Sequence, residues 1–545
     1  MHFLITIAFR SLLSKRPFIS RVLQLETIKH MSSSGKVNLC ITPNLRLRSD
    51  FECGSILFEG LHQPTDTALS PSSVVPSLRL CLASDVPSRD RTPSDSEEGE
   101  SAEDIASRMW FYFRIEWVHG PEESSSVCPP DIDITLRCIS AKSKLYPQGY
   151  RPFFRRSTHP GHWDPIPDDV TFEPGPGGSG PFTATASFRV PYSAEWMECA
   201  FCVPYTLSDV SHALDTWATQ SAAAGLMFTR KTLAYSLLGL PMEVATIWDP
   251  SATPTAGALL FSARVHPAEV PSSWMMHGLV DSLLSGPNRA ILQDFVIHVV
   301  PVLNPDGVHN GYTRGDTEGR NLNRYYDTAT KQEHPTIYAL RELFVKLHRE
   351  TPGGLYMYVD LHAHATRRGA FLYGNKLGRP EDIAHTLTFV DQMAVRCPQF
   401  DRSGCNFTEK NMQSKGRNDS RTKQGCSRVA LYALTGHTRT FTFEVNYAGS
   451  RAGKENNRKP PEKYSVSTFQ SIGRCIVESC HGTWLVMMIQ SSSASSSQTA
   501  NATVPPTAMM MPKRNVRRTS VNKAFFESDT TNNATKKELE RVIVI

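Results

Sequence analysis

Leu355-Tyr-Met-Tyr-Val-Asp-Leu-His-Ala-His364 is the run on which the fold turns. Residues 355–361 are apolar except Asp360, which marks a strand covered on both faces. The run then ends in two histidines. The carboxyl end of a buried strand is where open α/β sheets form their clefts, so His362 and His364 are placed to face one. Working outward, Phe295-Val-Ile-His-Val-Val-Pro-Val-Leu303 and Arg439-Thr-Phe-Thr-Phe-Glu-Val445 read as further buried strands, and 337–349 reads as an amphipathic helix. Strands alternating with helices predict an α/β domain with a mixed sheet over 226–490.

Upstream the pattern differs. Residues 36–225 carry short alternating runs, such as Met109-Trp-Phe-Tyr-Phe-Arg-Ile-Glu-Trp117 and Asp131-Ile-Asp-Ile-Thr-Leu-Arg137, separated by Pro-, Gly- and Ser-rich loops. This predicts a small antiparallel β-sandwich domain preceding the α/β domain. Residues 87–106 are Ser-rich and acidic and read as a disordered insert. Residues 1–35 form an N-terminal extension. Its basic residues Arg10, Lys15, Arg16 and Arg21, with no acid before Glu26, resemble a mitochondrial transit peptide, but the favoured reading is an extension upstream of Met31. Residues 491–545 read as a disordered tail with a basic cluster, Lys513-Arg-Asn-Val-Arg-Arg518.

The bulk numbers constrain the class of function. In 545 residues, 40% are hydrophobic and 20% charged, enough for sizeable cores. A net charge of +5 is too small for this length to signal nucleic-acid binding, and it is compatible with an acidic substrate. No apolar run approaches 18 residues, so no membrane span is expected. The 12 cysteines are scattered, and Cys199-Ala-Phe-Cys202 lies in an apolar stretch, which predicts reduced thiols in a cytoplasmic protein.

Four groups of residues carry chemistry. Val265-His266-Pro-Ala-Glu269 places an imidazole and a carboxylate three apart at a strand-to-helix turn, ahead of a helix expected to start near Ser272. With His362 they complete a His₂Glu set that suits one zinc ion and leaves a position open. His364, on the same side of its strand, is the rival for the third place, and Asp360 is placed to hold a ligand ring. Glu444 is a carboxylate in an otherwise apolar strand, which is costly unless a cation compensates it. It is the expected general base, taking a proton from water and passing it to a leaving amine. Arg314 is placed to stabilise a developing oxyanion, and Asn323 and Arg324 to hold a terminal carboxylate.

These pieces resemble the M14 metallocarboxypeptidases, and within them the cytosolic carboxypeptidase family. HPAEVPSSW, VLNPDGVHNGYTR, GRNLNRYY, DLHAHATRRGAFLYGN, SRVALY and FTFEVNY occur in family order, and WFYFRIEW and AFCVPYTLSD resemble the family's extra N-terminal domain. The segment around His362 looks most like the protein 5 branch. Ala268 and Ala363 stand where many relatives carry Gly. The resemblance implies one zinc held by His266, Glu269 and His362, catalysis by Glu444 and Arg314, and Arg428 facing the substrate's terminal side chain. It implies removal of C-terminal or side-chain-linked glutamates from polyglutamylated tails, tubulin above all, in the cytoplasm or on the cytoskeleton, and a monomer is assumed by default. Two other readings stand beside it: a catalytically weak microtubule-binding pseudoenzyme, and an amidohydrolase of small N-acyl amino acids.

Overall fold

The computed structural model describes residues 35–42, 44–61, 76–83, 85, 108–118, 131–140, 145–174, 183–254, 256–284, 286–415, 421–450 and 462–500. The N-terminal extension up to residue 34, the acidic insert and the basic cluster therefore lie outside the described residues. The chain divides into two compact units, residues 1–204 with 309–313, and residues 205–308 with 314–545.

The second unit is built on one seven-stranded mixed sheet. Its strands in chain order are β1 (Met227–Tyr235), β2 (Pro241–Trp248), β3 (Gly257–Ala263), β4 (Phe295–Val300), β5 (Leu355–His364), β6 (Ala370–Tyr373) and β7 (Thr440–Asn446). Their order across the sheet is β1-β2-β4-β3-β5-β7-β6. β4, β3, β5 and β7 run parallel, and β1, β2 and β6 are antiparallel to their neighbours. The parallel strands read as continuous apolar runs because helices cover both faces: all seven residues of β3 are buried.

The longer helices are α1 (Leu207–Ala223), α2 (Pro271–Leu284), α3 (Pro335–Glu350), α4 (Pro380–Arg396), α5 (Ser427–Thr435) and α6 (Val466–Ala500). Ile337, Leu340, Phe344 and Leu347 of α3 and Leu431 of α5 pack on Val244, Leu260 and Tyr358. Against the opposite face, Cys480 of α6 reaches Met357 of β5. α2 and α6 cross with their backbones touching: a Cβ on Gly278 would lie 2.1 Å from the Gln470 carbonyl oxygen, and one on Gly473 would lie 1.8 Å from that of Met275.

The first unit has two sheets. The six-stranded one runs Asn38–Thr42, Leu45–Arg48, Tyr112–Trp117, Trp196–Ala200, Phe153–Arg156, Asp164–Pro165 and is antiparallel throughout. The five-stranded one runs Leu57–Leu61, Ser77–Cys81, Asp131–Ser140, Thr183–Pro191, Thr171–Pro174. It departs from the antiparallel expectation at one pair, since Ser77–Cys81 lies parallel to Asp131–Ser140. Alternation holds where it was read: Ile132, Ile134 and Leu136 are buried while Asp133 and Thr135 between them are partly exposed. Glu198, buried in the six-stranded sheet, accepts from Arg114, Arg155 and Tyr112.

The units divide between Pro204 and Tyr205, earlier than the composition change near 226. The intervening residues form α1, whose Trp217 indole donates to Asp281 of α2 at 2.8 Å, so the helix belongs to the sheet unit. At the other end, α6 continues to Ala500, past the expected tail boundary at 491. Ten cysteines are free thiols among the described residues.

Candidate active site

The site lies at the carboxyl ends of the parallel strands. Tyr358, Asp360 and His362 share one side of β5 by strand parity. Tyr358 and Asp360 are covered there, and His362 stands at the end of the row. In the parallel pairing of β5 with β7, His362 is registered with Glu444 and Asp360 with Thr442. Glu444 therefore stands one strand away from His362, on the same side.

His266 and Glu269 arrive on the loop after β3. That loop is held open by Arg264, a buried residue in the left-handed region with φ +56°. Its guanidinium donates to the Pro267 carbonyl at 2.8 Å, the Tyr205 carbonyl at 2.9 Å and Ser273 Oγ at 3.1 Å. Asn304 adds a cross-brace, donating to the Gly315 carbonyl at 2.9 Å and accepting from the Gly307 amide. Sequence reasoning gave neither residue this bracing role. An arginine inside the apolar run before His266 was the available signal. α2 starts at Pro271, beside the expected Ser272: proline suits the first helical position, and the Ser272 hydroxyl bonds back to the Glu269 carbonyl.

His266, Glu269 and His362 bring one ligand atom each within 4.8 Å of one another. Nδ1 of each imidazole lies 2.8 Å from a Glu269 oxygen, His266 on Oε1 and His362 on Oε2. The far nitrogens are tied elsewhere. Nε2 of His266 donates to Asn321 Oδ1 at 3.0 Å, and that oxygen also accepts the Asn323 amide, which fixes it as an acceptor. Nε2 of His362 donates to Asp360 Oδ2 at 3.1 Å. Asp360 is itself fully buried and takes hydroxyl donors from Ser262 at 2.7 Å and Ser427 at 2.6 Å. His364, the rival ligand, turns away: its Nδ1 accepts the Thr366 and Arg367 amides.

The electrostatics follow from this packing. Burial, and then the Arg314 charge, push His266 down to about 4, so it is neutral. With its one proton on Nε2, a bare Nδ1 faces a carboxylate oxygen at 2.8 Å, a gap that a cation fills. Burial alone would raise Glu269, but His266 and His362 outweigh it and hold the carboxylate well below its usual range. Burial likewise opposes a charge on His362, and Asp360 and Glu269 overcome it and raise the group well above its ordinary value. Burial pushes Glu444 up to about 7, against the opposing charges of His362, Lys423 and Arg314. Its Oε2 is buried with no hydrogen-bond partner among the described residues. Two imidazoles, a carboxylate, braced far nitrogens and an orphaned acid suit zinc with an open position.

The cations gather around this group. Arg314 is half-buried and close enough to influence both His266 and Glu444. Asn323 and Arg324 lie in the turn Leu322–Arg324. Asn323 accepts the Ser427 amide at 3.1 Å, and Arg324 donates to the Asn323 carbonyl at 2.6 Å. Gly425 is required beside this turn, since a Cβ there would sit 2.0 Å from the Arg324 carbonyl oxygen. Arg428 is buried, donating to the Gly374 carbonyl at 2.9 Å, Asn375 Oδ1 at 3.3 Å and Asn411 Oδ1.

Comparison with known proteins places this site in a family. The family model described as zinc carboxypeptidase, M14, matches residues 216–470, which contain all of these groups. Over this region the chain is similar to the M14 zinc carboxypeptidases. Cytosolic carboxypeptidase-like protein 5 of Homo sapiens is 26% identical over 509 residues, covering 68% of this chain and 56% of that protein. Cytosolic carboxypeptidase 2 of Xenopus tropicalis is 29% identical over 380 residues, covering 67% of this chain and 37% of that protein. The chain thus spans little more than half the length of the protein 5 relatives. Among solved structures, a metallo-carboxypeptidase from Burkholderia cenocepacia has TM-score 0.58 at 18% identity, covering 82% of this chain and all of that one. One from Pseudomonas aeruginosa, in complex with (2-guanidinoethylmercapto)succinic acid, has TM-score 0.53 at 18% identity, covering 81% and 98%. At that identity the likeness is one of fold. Among the described residues no helix is long and apolar enough to cross a membrane.

Proposed function

We propose that this chain is a zinc metallocarboxypeptidase that removes glutamates, C-terminal or side-chain-linked, from polyglutamylated protein tails such as those of tubulin. The observation that carries the reading is the convergence of His266, Glu269 and His362 in front of Glu444, whose Oε2 is buried without a partner. His266, Glu269 and His362 would hold one zinc ion, which supplies Lewis acidity when bound.

The chain's own residues do the rest. Glu444 takes a proton from the attacking water at Oε2 and returns it to the leaving amine, a role suited to a carboxyl tuned to about 7. Arg314 supplies positive charge where the carbonyl oxygen develops its own negative charge. Asn323 and Arg324 orient the terminal carboxylate. Arg428 contributes positive charge to the side-chain pocket. Glutamate removal is favoured because Arg324, Arg428 and Lys423 lie together, and clustered cations suit a residue with two carboxylates. The names of the relatives support a cytosolic setting, and a monomer is the default.

Product analysis on tubulin-tail peptides with linear and branched glutamates is the direct test. Released glutamate from zinc-loaded protein is the expected result. Stoichiometric zinc with no glutamate release from either peptide would refute it.

A further inference from the structure

Near Glu444 stand two cations, Arg428 and Lys423, that no carboxylate among the described residues binds directly. Arg428 is buried, yet its three acceptors are a backbone carbonyl and two amide oxygens, and none is a carboxylate. Lys423 is half-buried, and its ammonium makes no hydrogen bond or ion pair among the described residues. It lies 5.5 Å from the centre of the Tyr373 ring, and the Arg428 guanidinium lies 5.9 Å from the same centre. Lys423 feels the charges of Arg428, Arg324 and Glu444. Cations brought together out of water are unfavourable unless an anion joins them.

The backbone fixes where that anion would sit. Lys423 opens the turn Lys423–Gly425, capped by Thr422. Its amide donates to the Ser414 carbonyl at 2.9 Å. Two residues on, Gly425 presses on the Arg324 carbonyl, and the Tyr326 amide donates to the Gly425 carbonyl at 2.9 Å. Arg324 and Lys423 therefore sit on turns packed against each other.

Resting on the carboxypeptidase reading, we propose that Lys423, rather than Arg428, directly contacts the side-chain carboxylate of the terminal residue. Arg324 takes the main-chain carboxylate of that residue. Arg428 frames the pocket by holding Gly374, Asn375 and Asn411, and its field adds to that of Lys423. The selected ligand is a chain end with two carboxylates separated by a short aliphatic stem.

The test is binding to the zinc-loaded full chain carrying Glu444→Gln, so that peptide survives. Fluorescence anisotropy compares a labelled peptide ending in glutamate with its glutamine-ended twin. The Glu444→Gln chain should prefer the glutamate peptide, and adding Lys423→Met, which keeps the stem over Tyr373, should cut that preference by about 10- to 100-fold, the scale of a charged hydrogen bond. Lys423→Arg should restore part of it. An unchanged preference in Lys423→Met, or no preference before the change, overturns the proposal. Failure of the carboxypeptidase reading shows separately, as intact peptide left by the wild-type chain while the binding preference persists.

Discussion

Glu444 is a carboxylic acid whose charge the fold opposes. Its ordinary value is 4.5 and burial raises it to about 7. An acid raised on folding destabilises the native state increasingly as pH climbs from 4.5 to 7, because the folded chain holds the proton longer. In metal-free protein, Glu444→Gln should leave stability unchanged below pH 4.5 and add roughly 1–3 kcal/mol above pH 7. Urea unfolding across that range reads this directly, and a gain confined to acid pH would contradict the assignment. In zinc-loaded protein the same variant should keep the metal and lose glutamate release. Asp360 acts through His362. Asp360→Asn should weaken zinc by about 10- to 100-fold, as such outer partners do, in a competitive chelator titration. Its hydroxyl donors, Ser262 and Ser427, could not be located from the sequence, because neither is near Asp360 in the chain.

At the scale of elements, the strands were legible because burial on both faces leaves long apolar runs. The run from Leu355 proved to be a strand through His364. The helix expected over 337–349 spans Pro335–Glu350. α1 was not separated from the β-rich region, since one amphipathic helix among short strands carries a weak periodic signal. The meeting of α2 and α6 was equally hidden, since two glycines in helices normally signal only lost stability. Here they let backbones touch. Gly473→Ala should force them apart and cost about 1–3 kcal/mol in unfolding experiments, with zinc affinity retained because the loop of His266 lies at the start of α2 and not at the crossing. Arg264→Ala should do the reverse in part, loosening the loop and weakening zinc, because it removes three hydrogen bonds that hold the ligand turn.

For the whole molecule, the metal site sits on a sheet that stands without it. His362 is linked to Glu269 and Asp360, and His266 to Asn321, by hydrogen bonds. Chelation should therefore leave a folded chain with a lower Tm, not an unfolded one. The loss follows from mass action, about 4 kcal/mol for free zinc at a thousand times its Kd. Calorimetry with and without a chelator checks it, and full loss of structure on chelation would contradict it.

Residue types, spacing and hydrophobic period are local properties, and they determined the α/β class, the strand that carries His362, and the candidate set of ligands, base and arginines. Resemblance then assigned their roles. What only the tertiary structure decided is pairwise and distant in the chain. It separated His362 from His364, because hydrogen bonding turns one ring toward Glu269 and the other toward its own loop. It also exposed the work of Arg264, and set Lys423 beside Arg324. Each of these depends on which strands are neighbours and where loops cross, and a linear pattern of apolar and charged residues carries no record of either.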